Sequence, residues 1–243
     1  MSAVVIGASS GLGRALAEEL ARGKHDLLLV ASDLRDLEAL ASDLAIRHDV
    51  SIKTLALDVG READPGARIA QALEGLSAPD ALLLPIGHSR RDDDLSLDAA
   101  ATGQLLAINL HAPLAIVQAL LPHLLQTRAT IVLFGSIAGV RGRGRNVVYA
   151  SAKRALVSLY ESLRQRYRPD ELRVQLYQLG FLATNLTHGM ALPAAPISPA
   201  LVAKTVVARL RSGSGLRYLP LKFALIALVV RALPWPMYRR MKG

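Results

Sequence analysis

Short apolar runs alternate along the chain with longer stretches in which apolar residues recur with a helical period. The apolar runs predict strands at Ala3–Gly7, Asp26–Val30, Ser51–Leu57, Ala81–Pro85, Thr130–Phe134, Leu172–Leu179 and near Arg217–Leu219. The amphipathic stretches predict helices at Leu12–Arg22, Asp33–His48, Arg61–Leu76, Ala100–Gln126, Val147–Arg168 and Pro199–Arg211. Strands without apolar–polar alternation are typical of a sheet buried on both faces. The pattern predicts an α/β fold, a doubly wound, Rossmann-type sheet of seven parallel strands with helices on both faces.

The composition indicates one domain over residues 1–243, because 51% of the residues are apolar and no low-complexity linker interrupts them. The segment 182–200 is rich in Ala, Pro and Thr and has no clear period, so we interpret it as a substrate lid. The absence of cysteine excludes disulfides, thiolate metal sites and a cysteine nucleophile. The six histidines show no metal-ligand spacing, and we expect no metal site.

Targeting signals are not evident in the sequence. No basic n-region with a long apolar segment precedes the first predicted strand. The longest apolar run, Phe223–Val230, has eight residues, whereas a membrane-spanning helix needs about 20. We therefore expect a cytoplasmic protein without a transmembrane segment.

The charge is unevenly distributed, although the net value is only +9. Glu171 is the last acidic residue, and ten Lys and Arg residues follow it. The C-terminal third is therefore expected to face something anionic, such as a membrane surface or a phosphate-bearing substrate, or to be a solvated basic surface. Nucleic acid is not expected as a partner, because the sequence lacks a basic helix with an aromatic platform.

A glycine loop follows the first predicted strand and leads directly into a helix. Its sequence, Gly7-Ala8-Ser9-Ser10-Gly11-Leu12-Gly13, has the spacing G-x-x-x-G-x-G. Gly7 permits the turn out of the strand, Gly11 permits close approach of a pyrophosphate, and Gly13 permits helix–sheet packing. The helix N-terminus would then bind the phosphates. In this strand–loop–helix context the loop predicts a dinucleotide site.

The ends of other predicted strands add candidate cofactor contacts. Ser32 and Asp33 follow the second strand, Asp58 and Val59 follow the third, and Gly87 follows the fourth. Asp58 is placed to accept a hydrogen bond from an adenine amino group. Position 32 carries no Arg for a 2′-phosphate, and position 31 carries no Asp for a free ribose. Asp33 would repel the phosphate, with Arg14 and Arg35 as alternative partners for it. We therefore expect NAD(H) or NADP(H), with a slight preference for NAD(H).

Three polar side chains form a candidate catalytic group. Ser136 follows the fifth strand, and Tyr149 and Lys153 lie four residues apart on one face of the next helix. A neighbouring ammonium is expected to lower the tyrosine pKa from about 10. Tyrosine then exchanges a proton with a carbonyl or alcohol while a nicotinamide exchanges hydride with the carbon.

With the glycine loop, Asn109, Ser136 and Tyr149-x-x-x-Lys153 in this order, the chain resembles the short-chain dehydrogenase/reductase family over essentially its whole length. The resemblance implies an Asn109–Ser136–Tyr149–Lys153 tetrad, in which Asn109 bends its helix and holds a water of a proton relay. It also implies that Gly180 and Thr184 lie beside the nicotinamide. Leu84-Pro85-Ile86-Gly87 departs from the family's usual Asn-Asn-Ala-Gly, which leaves backbone groups to line that wall of the pocket.

A narrower resemblance involves the stretch Gly139–Arg145, with arginines at 141, 143 and 145, and the apolar, basic tail 221–243. Both stretches are similar to those of decaprenylphosphoryl-ketopentose reductases. This implies a keto-sugar on a polyprenyl phosphate as substrate, arginines that bind its phosphodiester, and a tail on the inner face of a membrane. The alternatives are a soluble ketoacyl-thioester reductase, a non-catalytic dinucleotide-binding regulator, and a tail packed against its own core or a partner subunit. We expect a homodimer or homotetramer.

Overall fold

The computed structural model describes residues 1–183 and 195–241. Its seven strands are β1 (Ser2–Ile6), β2 (Asp26–Ala31), β3 (Ile52–Ala56), β4 (Ala81–Leu84), β5 (Thr130–Ser136), β6 (Arg173–Leu179) and β7 (Gly215–Leu219). They form one parallel sheet in the order β3-β2-β1-β4-β5-β6-β7. The predicted doubly wound fold and its seven strands are confirmed. The strand order reverses between β1 and β4, so their carboxyl ends flank a crevice suited to ligands.

Helices cover both faces of the sheet and enclose two apolar cores. One face carries α1 (Gly11–Arg22), α2 (Leu34–His48) and α7 (Pro199–Val207), and the other carries α3 (Pro65–Ala72), α5 (Ala112–Gln126) and α6 (Val147–Arg166). The central strands are buried at nearly every position, which is why they show no alternation in the sequence.

Three predicted helices differ from the observed ones. The helix predicted at Pro199–Arg211 ends at Val207, where turns follow. The helix predicted at Arg61–Leu76 is limited to α3, because Asp64 accepts a hydrogen bond from the Ala67 amide and Pro65 occupies the first turn. The helix predicted at Ala100–Gln126 consists of α4 (Ala99–Leu106), a π-helical turn at Ala107–His111, and α5. A π turn interrupts the regular ladder and is frequent at functional sites.

The combined stretch Ala99–Gln126 is long and apolar enough to cross a membrane by length and composition. In the fold its α5 part packs against the sheet and against α3, with Ile116, Leu120 and Leu124 fully buried. This is the arrangement of a core helix.

The C-terminal tail forms two further helices, α8 (Lys222–Ala232) and α9 (Trp235–Tyr238). Phe223 and Ala227 are the buried residues of α8. The Phe223 ring contacts Phe181 edge-on, with centroids 6.4 Å apart, and occupies the space that a Cβ of Gly180 would need. The tail is thereby packed against the loop that follows β6.

Candidate active site

The glycine loop forms the sharp turn that its sequence predicts. Gly7 and Gly11 both have positive φ, +86° and +51°, which glycine adopts without a Cβ penalty. A Cβ on Gly13 would collide with the Gly7 carbonyl, so this glycine permits α1 to approach the strand. The loop backbone therefore lies bare at the N-terminus of α1, where a phosphate group is favoured.

A cleft of about 870 Å³, called here the central cleft, opens at the carboxyl ends of the strands. Most of the residues singled out from the sequence line it: Gly7, Ser9, Ser10, Gly11, Leu12, Ser32, Asp58, Val59, Gly87, Ser136, Tyr149, Lys153 and Gly180. Three others do not. Gly13 packs behind the loop, Asp33 caps α2 by accepting a hydrogen bond from the Asp36 amide at 3.0 Å, and Asn109 is buried behind the wall. Thr184 and most of the segment 182–200 lie outside the described residues.

Lys153 lies deep in the central cleft, with 3% of its surface exposed. Its ammonium donates hydrogen bonds to the carbonyl oxygens of Ile86 at 2.9 Å and Phe134 at 3.2 Å. These carbonyls follow β4 and belong to β5, so Lys153 connects α6 to the ends of two central strands. Burial lowers the pKa of Lys153 from 10.5 to about 8, because charge is disfavoured away from water.

Tyr149 lies one helical turn before Lys153, whose Nζ is 5.8 Å from the centre of the tyrosine ring. Burial raises the pKa of Tyr149, opposed by a hydrogen bond with Ser136 and by the charge of Arg143. The expected lowering of this pKa is therefore wrong for this geometry, since burial outweighs the Ser136 hydrogen bond and the Arg143 charge. The phenol is consequently protonated at neutral pH and able to donate a proton.

Asn109 occupies the centre of the π turn and is fully buried. Its amide group donates to the carbonyl oxygens of His88 at 2.7 Å and Leu105 at 2.9 Å, and its oxygen accepts from the His88 amide at 3.1 Å. A Cβ on Gly87 would lie 3.4 Å from the Asn109 oxygen and 3.3 Å from the Lys153 ammonium. Asn109 thus fixes the loop after β4 immediately beside Lys153.

Asp93 holds the start of the helix that carries Tyr149 and Lys153. Its carboxylate accepts hydrogen bonds from the amides of Val148 and Tyr149, both at 2.9 Å, and it is 1% exposed. A carboxylate at a helix N-terminus is stabilised by free amides and by the helix dipole. Asp93 is therefore a buried structural carboxylate, whereas its neighbours Asp92 and Asp94 are exposed.

The signal that would have identified Asp93 is absent from the local sequence. Asn146 immediately precedes α6 and is the cap that the local sequence suggests. It has a left-handed φ of 53° and makes no side-chain cap hydrogen bond. The actual cap is separated from the helix by more than 50 residues and meets it only in the fold.

The three arginines at 141, 143 and 145 have different surroundings. Arg141 donates hydrogen bonds to the carbonyls of Val230 at 2.8 Å and Leu233 at 2.6 Å, and its guanidinium lies 4.1 Å from the Tyr238 ring centre. Arg143 lines the central cleft, and its Nε is buried without a hydrogen-bond partner among the described residues. Arg145 is exposed. Arg141 therefore fastens the tail, and Arg143 faces the reactive groups.

Comparison with known proteins identifies relatives of this chain. A 3-oxoacyl-[acyl-carrier-protein] reductase of Bos taurus is 30% identical over 76% of this chain and 77% of its own length. An uncharacterized oxidoreductase of Mycobacterium tuberculosis is 27% identical over 98% of this chain and 96% of its own. The chain spans 55% of the length of a very-long-chain 3-oxoacyl-CoA reductase of Vanderwaltozyma polyspora and 62% of one from Aspergillus terreus.

A solved short-chain dehydrogenase from Sphingobium yanoikuyae in complex with NADPH superposes on this fold with a TM-score of 0.84. It is 23% identical and covers 100% of this chain and 96% of its own. This likeness concerns the fold. The model of the short chain dehydrogenase family matches residues 1–192, which include the glycine loop, Ser136, Tyr149 and Lys153. The chain belongs to the short-chain dehydrogenase family of NAD(P)-dependent oxidoreductases.

Proposed function

We propose that the protein transfers hydride between a nicotinamide cofactor and a carbonyl or alcohol carbon of a hydrophobic substrate. The observation that carries this proposal is that one cleft contains the glycine loop together with Ser136, Tyr149 and Lys153. The bare backbone of the loop at the N-terminus of α1 fits a pyrophosphate. When bound, the nicotinamide supplies the hydride, and the side chains handle the proton.

In this proposal each polar group has a separate task. Tyr149 donates the proton to the carbonyl oxygen in reduction and accepts it in oxidation. Ser136, which is hydrogen-bonded to Tyr149, holds the same oxygen. The Lys153 ammonium lies beside the tyrosine and stabilises the phenolate that proton donation leaves. Asn109 is a positioning residue, because it acts through the His88 backbone.

The direct test replaces Tyr149 by Phe, which keeps the ring and removes the proton. Turnover is expected to fall by roughly 10²–10⁴-fold, the usual contribution of general acid–base catalysis. The dissociation constant of the reduced cofactor, measured by its fluorescence, should remain within about twofold, because the loop is untouched. A Tyr149→Phe variant with unchanged turnover would contradict the proposal and leave the non-catalytic regulator as the alternative.

For the cofactor we propose NAD(H). Ser32 lines the cleft where a 2′-phosphate would need a guanidinium partner, and Asp33 next to it holds a carboxylate at the start of α2. Titration with NADH and NADPH tests this preference. Tenfold tighter binding of NADPH would reverse it.

For the substrate we propose a lipid-linked carbonyl compound, such as a keto-sugar on a polyprenyl phosphate. The apolar and basic tail beside the cleft supports a substrate with a long chain and an anionic group. The second candidate is a 3-oxoacyl thioester, which is supported by the names of the bovine and yeast relatives. Residues 182–200 are proposed as the lid over this substrate.

The tail is further proposed to lie on the inner membrane face. Eight large apolar residues are exposed within it: Leu221, Leu225, Ile226, Leu228, Val229, Trp235, Met237 and Met241. Arg231, Arg239 and Arg240 lie among them, and each basic residue near an anionic surface contributes about 1 kcal/mol. The alternative occupant of this surface is a second subunit of a homodimer or homotetramer.

Sedimentation with liposomes separates these two occupants. The full chain should pellet with anionic vesicles and much less with neutral ones. The variant Leu225→Asp/Leu228→Asp, which places charge on the exposed side of α8, should remain in the supernatant. Equal, negligible pelleting of both proteins, together with an oligomer that the double variant dissociates, would favour the subunit interface.

A further inference from the structure

A second cavity of about 760 Å³ lies between the tail and the segment that follows β5. We call it the tail cavity. Its apolar wall comes from both sides: Ile137, Ala138 and Val140 on one, and Phe223, Ile226, Ala227, Val230 and Trp235 on the other. The volume falls within the range of about 300–1,000 Å³ that is typical of small-molecule sites. A cavity of this size and lining is suited to a hydrocarbon chain.

The tail cavity meets the central cleft at three shared residues, Ile137, Ala138 and Arg143. Ile137 follows Ser136 directly, so the cavity begins one residue from the candidate catalytic serine. A ligand with its carbonyl at Ser136 and Tyr149 therefore has an apolar space open to the rest of its structure.

Cationic groups accompany the apolar wall. Arg141, Arg143, Arg154 and Arg239 line the tail cavity, and no Asp or Glu does so among the described residues. Arg141 is already engaged by two tail carbonyls and by Tyr238. Arg143 stands at the junction, near enough to Tyr149 to oppose the rise of its pKa. Its Nη2 donates a hydrogen bond to the side-chain oxygen of Asn146 at 2.8 Å, whereas its buried Nε has no partner in the described chain. Arg143 is thus the guanidinium available to an anionic group at the junction.

We infer that the tail cavity binds the hydrocarbon chain of the substrate and that Arg143 binds an anionic linker, such as a phosphate diester, between that chain and the carbonyl-bearing group. This inference rests on the proposed function, because it takes the reactive carbonyl to lie at Ser136 and Tyr149. It specifies an order along the ligand: carbonyl-bearing group, anion, apolar chain.

The order separates the two candidate substrate classes. In a 3-oxoacyl thioester the keto group lies between the apolar chain and the anionic carrier, so a chain in the tail cavity would leave Arg143 facing methylene groups. In a phosphate-linked lipid the anion joins chain and head group, and it reaches the junction when both ends are in place. The position of Arg143 between the cavities favours the phosphate-linked lipid.

Binding to the tail cavity is measurable without turnover, because Trp235 lines it and is the only tryptophan of the chain. The probes are dodecyl phosphate, which carries chain and anion, and dodecanol, which carries the chain alone, both below their micelle-forming concentrations. Changes in Trp235 emission should show binding of dodecyl phosphate about tenfold to a hundredfold tighter than that of dodecanol, the range for a hydrogen bond to a charged group.

Two pairs of variants test whether Arg143 binds the anion and whether the tail cavity binds the chain. Arg143→Gln should remove the preference for the phosphate, whereas Arg145→Gln, an exposed arginine outside the cavity, should keep it. Ala227→Phe fills the cavity and should weaken both probes about tenfold or more, whereas Leu228→Phe, on the exposed side of α8, should not. Val230→Phe serves the same purpose if Ala227→Phe does not fold, as judged by circular dichroism.

Equal affinity for both probes, or a preference that survives Arg143→Gln, would overturn the anion site. Unchanged affinity in the folded Ala227→Phe or Val230→Phe variant would overturn the chain site. Neither probe contains a carbonyl, so failure of the wild-type protein to transfer hydride would remove the proposed function and leave these binding results as they are.

Discussion

The central cleft and the tail cavity share a wall, but different parts of the molecule build them. The nucleotide end of the central cleft is made by one continuous loop, in which the backbone of Gly7–Gly13 is the functional element. The tail cavity is made by two parts of the chain that are distant in sequence, namely residues 137–154, from the end of β5 into α6, and the tail helices. A backbone site leaves a fixed spacing in the sequence, whereas a site assembled from side chains does not. The reaction class is consequently easier to recognise than the substrate.

The largest expected effect in the central cleft comes from loss of the Lys153 charge. Its pKa is lowered to about 8, so the ammonium is present below that pH and is lost as the pH rises through it. If reduction requires the ammonium, kcat/KM should fall about tenfold for each pH unit above 8. Lys153→Arg keeps the charge to higher pH, and in a variant that retains activity the alkaline fall should move upward. A profile that stays flat to pH 10 would show that this charge is not required.

The second test concerns Asp93, which links the loop after β4 to the start of α6. Asp93→Ala leaves the partly buried amides of Val148 and Tyr149 without their acceptor and removes a charge from the helix N-terminus. Misplacement of Tyr149 should lower kcat about tenfold, with little change in the affinity for the cofactor. Asp93→Asn keeps one acceptor oxygen, so its kcat should lie between those of the wild type and Asp93→Ala.

The matched control is Asp92→Ala. Asp92 is exposed and paired with Arg90, so its removal should leave kcat unchanged. A purely structural role of Asp93 would lower the melting temperature of Asp93→Ala but leave kcat per folded molecule at the wild-type value. That result would remove the positioning role.

How much of the fold and the site the sequence predicts depends on how far apart along the chain the interacting residues lie. The strands and most helices were predictable because their apolar spacing is local, and Tyr149 and Lys153 were predictable because four residues on a helix share a face. The break at Ala107–His111 could be anticipated only through the resemblance of Asn109, since its partner His88 lies 21 residues away. The cap by Asp93 has no local signature.

The tail shows the same limit more clearly. Its apolar and basic residues were visible, but α8 and α9 were not predicted as helices. The run Phe223–Val230 in α8 is apolar without interruption and shows no helical period, and α9 is a single turn of four residues. The alternating arginines suggested a joint phosphate site, whereas Arg141 is used within the protein and Arg145 faces solvent. Only the folded chain distinguishes an arginine that holds structure from one that faces a ligand.

Arg141 gives the smallest expected effect and tests whether the two regions are energetically separate. Arg141→Ala removes two hydrogen bonds to tail carbonyls and a contact with Tyr238, which together should stabilise the docked tail by about 1–3 kcal/mol. Amide hydrogen exchange should therefore accelerate in α8, while exchange in β1 and the affinity for the cofactor remain as in the wild type. Arg145→Ala is the control, because Arg145 belongs to the same alternating run and is exposed, and it should change neither. Weaker cofactor binding in Arg141→Ala would show instead that the tail, through Phe223 and Gly180, also sets the shape of the central cleft.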